Sequence, residues 1–226
     1  MSRRSFSHLC IVAVSIGGAA GAQGLDPGRV YLKGFGGADL PEGFDGAESA
    51  RTGHGLEDVS FRFDYDTGAV LGVAIGYVAS PRVAVELEYA YRRSYAVVSG
   101  VRTLGMTANE FSFDERVTVQ SGMVNAFYRF DGIGPQGRVT PYAGAGLGIA
   151  SADVRGIGRA DPALAWQVIG GAAYAIDAHW SLSGEVRWFS TEGGTFIESV
   201  EGADFIEPVE TGFDAFDVLV GASYRF

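Results

Sequence analysis

His179 and Ser181, two positions apart and followed by Glu185, carry the one spacing in this chain that suggests nucleophilic chemistry. A histidine that takes the serine proton would let the hydroxyl attack an ester, provided base and nucleophile face the same substrate. That condition is not met by the pattern, because His179 falls in a short turn and Ser181 lies on the charged side of the strand that follows. The alternating glycines Gly144, Gly146 and Gly148 would cradle a phosphate only at the start of a helix, and they sit inside a strand pattern instead. No Walker sequence, CxxC pair, HExxH or EF-hand spacing occurs, so no cofactor is implied. His54 stands alone in a glycine-rich segment and reads as a solvated side chain.

Carboxylates are the other candidate chemistry. Between Glu192 and Asp214 lie Glu198, Glu201, Asp204, Glu207 and Glu210 with no Lys or Arg among them; Glu42, Asp45, Glu48, Glu57 and Asp58 accompany Arg51 in an earlier segment. Hard divalent cations take carboxylate oxygens, which makes cation binding one reading. A solvated, variable surface is the simpler one. A net charge of -10 and a pI near 4.7 exclude a nucleic-acid partner, since phosphate recognition needs a basic surface.

The remaining charges lie on strands. In Arg82-Val-Ala-Val-Glu-Leu-Glu-Tyr-Ala-Tyr-Arg-Arg93, Val83, Val85, Leu87, Tyr89 and Tyr91 hold odd positions, while Glu86, Glu88 and Arg92 hold even ones. Strand side chains alternate between faces, so this is a ribbon with one apolar and one charged side. Similar segments run from about Arg29 to Leu40, Phe61 to Tyr77, Val117 to Phe130, Thr140 to Ala150, Leu164 to Ile176, Trp180 to Trp188 and Phe216 to Phe226. That makes roughly eight strands. Short connections near Ser80-Pro81, Asp131 to Gly137 and Asp177 to His179 alternate with long polar ones at 41–60, 96–116, 151–161 and 191–212.

The expected fold is therefore all-β: an eight-stranded antiparallel transmembrane β-barrel in an up-and-down meander, with short periplasmic turns and long extracellular loops. Aromatic residues at the strand ends match two membrane interfaces. The apolar set, including Leu71, Val73, Ile75, Val83, Val85, Leu87, Tyr89, Trp188, Val218 and Val220, is expected to face lipid. Lys33, Arg62, Arg92, Arg129, Arg187 and Arg225 are expected to meet Asp64, Asp66, Glu86, Glu88, Glu185 and Asp217 in the lumen, with Asn125 among them. Eight strands enclose only enough room for side chains, so this should be a plug of salt bridges rather than a wide channel. Glu86, Glu88 and Arg92 would pair there with Arg129, Arg187 or neighbouring strands. Small residues, Gly72, Ala74, Gly144, Gly146 and Gly148, should make room beside the long side chains.

Arg3 and Arg4 precede an apolar run, Leu9 to Ala20, that ends in Ala20-Gly21-Ala22. This is the layout of a secretory signal peptide over residues 1–22, leaving 23–226 as one barrel domain. The run is too short for a transmembrane helix. The only cysteine, Cys10, lies within it, so the mature chain has no disulfide.

Phe63-Asp-Tyr-Asp-Thr-Gly-Ala-Val-Leu-Gly-Val-Ala-Ile-Gly-Tyr77, Arg82-Val-Ala-Val-Glu-Leu-Glu-Tyr89, Thr140-Pro-Tyr-Ala-Gly-Ala-Gly-Leu-Gly148 and the terminal Val220-Gly-Ala-Ser-Tyr-Arg-Phe226 resemble the bacterial outer-membrane β-barrel domain family, in its opacity-protein-like and OmpA/OmpX-type group. The resemblance covers essentially the whole mature chain. It implies residence in the outer membrane of a Gram-negative bacterium, contact with lipopolysaccharide, and insertion by the barrel-assembly machinery, which reads a C-terminal aromatic signal here matched by Tyr224 and Phe226. Family members are non-enzymatic surface antigens, adhesins or envelope-structural proteins, with a host or surface ligand met through the loops. A narrow porin-like pore is the alternative. A lipid A-modifying enzyme is the remaining one, and the deacylase arrangement behind it expects Asn after the serine, where this chain has Leu182.

Overall fold

The computed structural model describes residues 29–52, 55–104, 107–155, 158–159, 161–192, 194–196, 203–205 and 209–226. The strands are β1 (Val30–Pro41), β2 (Phe44–Thr52), β3 (Gly55–Tyr65), β4 (Gly68–Ser80), β5 (Val83–Leu104), β6 (Thr107–Arg129), β7 (Val139–Val154), β8 (Gly158–Arg159), β9 (Ala163–Ala175), β10 (Trp180–Thr191), β11 (Gly194–Phe196), β12 (Ala203–Phe205), β13 (Val209–Thr211) and β14 (Asp214–Arg225). Eight of them pair antiparallel in a ring: β1, β4, β5, β6, β7, β9, β10 and β14, which returns to β1. The closing seam runs from Tyr31 opposite Arg225 to Pro41 opposite Ala215. Closure leaves the wall without a free edge, the condition for crossing lipid with strands.

The long segments at 41–60 and 96–116 are less irregular than the sequence suggests. They form the β2–β3 hairpin and the upper halves of β5 and β6, which stay in register as far as Leu104 opposite Thr107. Phe63 registers opposite Val98, and Val98 opposite Phe113, so residue types that favour strands hold corresponding positions on three strands there.

The single strand expected over Phe61 to Tyr77 is in fact two, β3 and β4, both paired with β5. Tyr65 opposes Ala96 and Ala69 opposes Arg93, so Asp66, Thr67 and Gly68 face only Ser94 and Tyr95. One extra residue makes a bulge, and a one-residue offset exchanges the two faces. Below the bulge Val70 and Ala74 point inward, with even numbers; above it the inward residue is Tyr65. Arg62, Asp64 and Asp66 are consequently exposed, and they leave the expected lumen network.

Two glycines of β4 let large inner side chains lie against the wall. Phe35 is the cross-strand partner of Gly72, and Tyr31 of Gly76; each ring occupies the space that a Cβ on the glycine would need. Gly72→Ala should therefore displace the Phe35 ring and cost about 1–3 kcal/mol, measured as a lower urea midpoint of the folded barrel. An unchanged midpoint would mean that the ring moves freely.

Candidate functional site

The lumen has three layers. Nearest the long loops it is apolar, built by Phe189, Phe213, Met123, Val117 and Val119 with Tyr65 against Phe213, ring centroids 6.0 Å apart. The expected plug of charges thus extends over only part of the interior. Phe189 in β10 and Phe213 just before β14 close the upper part because the odd-numbered inward parity of Glu185 and Arg187, and of Leu219, Asp217 and Ala215, continues to them.

Below this cap lies the charged layer. Asp39, Glu86, Glu88, Glu185 and Asp217 are buried with Lys33, Arg92 and Arg187. Arg187 donates from Nη1 to Glu88 Oε1 at 2.8 Å, and from Nη2 and Nε to Glu185 Oε2 at 2.6 and 3.0 Å. Its guanidinium lies 4.5 Å from the centroid of the Phe35 ring, a cation–π contact that covers one face. Lys33 pairs with Glu185 and stands 3.7 Å from Glu86 Oε2. Asn125 donates to Glu88 Oε2 at 3.0 Å, and Gln167 donates to Asn125 Oδ1 at 2.7 Å and to Glu88 Oε1 at 3.3 Å. Gly146 makes this possible, since a Cβ there would collide with the Asn125 amide. Buried charges are tolerable when paired and hydrogen-bonded in this way.

A second cluster surrounds Arg92. It donates to Asp217 Oδ2 at 2.8 Å and Ser121 Oγ at 3.1 Å, lies 3.8 Å over the Phe189 ring, and is 3.7 Å from Asp39 Oδ1. Asp39 and Asp217 are cross-strand partners, so two carboxyls share one guanidinium. Asp39 was not among the expected lumen residues, although the odd-number parity of Lys33 and Phe35 extends to it through Gly37. Gln167 and Tyr142 also escaped notice, because β9 and β7 carry no charged residue on that face to mark it, whereas Tyr31 shares the odd-numbered face of Lys33 and could have been read from it.

The bottom layer is a cavity of about 200 Å³ among residues from the short-turn end, including Tyr31, Tyr142, Arg129 and Arg225. Tyr31 donates to Glu86 Oε1 at 2.7 Å and Tyr142 to Glu185 Oε1 at 2.5 Å, which ties the floor of the cavity to the charged layer. Arg129 and Arg225 are half-buried and neither makes an ion pair with another described residue. Arg129 was expected to pair with Glu86 or Glu88, and Arg225 to join the same lumen network; those acids are held instead by Tyr31, Lys33, Arg187, Asn125 and Gln167, deeper in the barrel.

Ser181 and His179 are not brought together as a catalytic pair. The Ser181 hydroxyl shares a 2.7 Å hydrogen bond with Ser223, while the His179 ring stacks on Tyr224. The turn itself is shaped by Asp177, whose Oδ1 accepts from the Trp180 and His179 amides at 2.7 and 2.8 Å and whose carboxyl is thereby held below the usual range. Of the acidic segments, Glu198, Glu201 and Glu207 lie outside the described residues, as do residues 1–28.

The outer face is apolar where expected. Leu71, Leu87 and Val220 are 66%, 60% and 71% exposed, and Val73, Ile75, Val83, Val85, Tyr89 and Val218 are exposed as well. Trp188 also lies on this face, half-covered by its neighbours. On β5 the apolar outward run spans Val83 to Tyr91, then gives way to Arg93, whose Nη2 donates to Tyr95 Oη at 2.9 Å. That is about the 9–11 residues with which a tilted strand crosses the hydrocarbon. At the other end Tyr128 contacts Phe130, and Tyr224 contacts Trp180 and Phe226, ring centroids 5.1–5.4 Å apart. Tyr65, one of the strand-end aromatics that alternation would place at a membrane interface, faces the lumen because of the bulge.

The outer membrane protein beta-barrel domain model matches residues 9–226. The chain belongs to that family. Members of the family lie in the outer membrane, and the exposed apolar wall is therefore the surface that meets lipid. Among solved structures, Neisserial surface protein A is similar at 16% identity with a TM-score of 0.53, over 87% of this chain and 97% of that one. The outer membrane protein OprG from Pseudomonas aeruginosa is similar at 14% identity with a TM-score of 0.48, over 88% and 96% of the two chains. The first of these likenesses supports the small closed barrel. No curated protein sequence matches the chain.

Proposed function

We propose that this family member is a closed, non-conducting and non-enzymatic wall whose loops are its working part, as a surface antigen, adhesin or envelope-structural protein. The observation that carries this reading is the filled lumen: a charged layer whose members bond one another, under an apolar cap that includes Phe189 and Phe213. An ion entering it would have to break buried pairs and pass an aromatic constriction, both costly in a low dielectric. The paired Ser181 hydroxyl supports the non-enzymatic part. Residues 1–22 act as the export signal, Tyr224 and Phe226 as the signal for the assembly machinery, and lipopolysaccharide surrounds the outer half of the wall. A host or surface ligand is met by the loops, and their acids are solvated rather than cation-binding.

Planar-bilayer recording of the pure folded barrel tests the closed wall. No steady conductance above the lipid background is expected. Steady channels would favour the narrow pore.

A further inference from the structure

The cavity at the short-turn end has a composition that the closed-wall reading does not use. Arg129 ends β6 and Arg225 ends β14, on separate parts of the ring, yet both line this one space of about 200 Å³. Each lies close enough to act electrostatically on the other, and two cations facing a shared space repel unless something negative stands between them. Arg82, near the same end, pairs with Asp131 at 3.3 Å; Arg129 and Arg225 have no such partner among the described residues. The acids beneath them face other partners: Glu86 accepts from Tyr31 at Oε1 and has Lys33 3.7 Å from Oε2, and Glu185 is held by Lys33, Tyr142 and Arg187. At the rim, Asp177 accepts from two backbone amides. Around the arginines stand hydroxyls, Ser181 and Ser223 at 2.7 Å from each other, with Ser183 and Thr140.

We propose that this vestibule is a binding site for a small oxyanion, with phosphate the preferred chemistry and Arg129 and Arg225 its two charged clamps. Guanidinium forks match phosphate and carboxylate oxygens with paired, charge-assisted hydrogen bonds, and the serine hydroxyls add donors that turn to suit. The volume accommodates a phosphate with some of its water, and the charged layer above makes the site a dead end, so the anion binds without crossing. The short turns place the mouth on the periplasmic side. The phosphate could be free in the periplasm or belong to a phospholipid headgroup reaching in from the inner leaflet.

Calorimetric titration of inorganic phosphate into the folded mature barrel in a maltoside detergent tests the site. Saturable binding at one site is expected, weakened several-fold by Arg129→Gln or Arg225→Gln and at least tenfold by both together. Each variant is first checked for the heat-dependent gel mobility of a folded barrel; should the double variant not fold, the two single variants decide. The titration is repeated in nanodiscs containing phosphatidylglycerol. Binding in detergent that disappears in those nanodiscs assigns the site to lipid phosphate, and binding in both assigns it to the free anion. Absence of saturable binding in detergent, or binding that folded single variants leave unchanged, would overturn the proposal.

Discussion

Arg187→Met should lower the unfolding free energy of the barrel by about 3–5 kcal/mol, the usual loss when one member of a buried ion pair is removed. Arg187 is 1% exposed and is the cation that holds Glu88 and Glu185 at once. Without it Glu88 keeps only the Asn125 and Gln167 amides, and a buried carboxylate loses its countercharge. Methionine keeps much of the volume, so the loss reports charge rather than a cavity. Arg129→Met is the matching control. Arg129 carries no ion pair with a described residue, and its removal relieves repulsion from Arg225, so its effect should stay within about 1 kcal/mol. Urea unfolding in lipid vesicles, followed by tryptophan fluorescence, measures both. Equal losses for the two variants would contradict the layered lumen.

Leu87→Arg should cost about 2–4 kcal/mol, the penalty for arginine on the lipid face near the bilayer midplane. Leu87 sits at the centre of the outward run from Val83 to Tyr91, opposite Ile75 on β4 and Val124 on β6, both exposed. Three apolar side chains across neighbouring strands at one height mark the hydrocarbon, and a guanidinium among them must reach for the headgroups. Val83→Arg, at the turn end of the same strand, should cost only about 0–1 kcal/mol because the interface is near. Vesicle unfolding of the two variants gives a depth profile. If both positions cost the same, the outward face of β5 is not ordered by membrane depth as described.

Much of this architecture was legible in period-two alternation. In β5 every second residue from Val83 to Tyr91 is apolar, so the two faces of that strand could be assigned before any partner was known, and family membership then decides that the apolar one meets lipid. The inward placement of Lys33, Glu86, Glu88, Arg92, Asn125, Glu185, Arg187 and Asp217 follows from the same alternation, and all eight are buried. The limits of that rule are equally physical. Alternation holds only while the backbone keeps its register. One extra residue at Asp66 to Gly68 turns Arg62 and Asp64 outward and Tyr65 inward, and Gly68 is only one of three glycines between Phe61 and Tyr77, so residue type does not single out the place.

Parity along a strand is a local property of the chain, and it determined the fold class, the two faces and most of the buried charges. Which charge meets which is a property of height around a closed ring, and only the tertiary structure decides it. Glu88 and Arg187 are far apart in sequence and on strands that are not neighbours, yet they meet across the lumen at 2.8 Å. Arg129 and Arg225 have the right parity but stand at the bottom of the ring, below the acids they were expected to join. A count of six cations against six acids therefore described the ingredients of the lumen, while strand register distributed them into an aromatic cap, an ion-paired layer and a cationic vestibule.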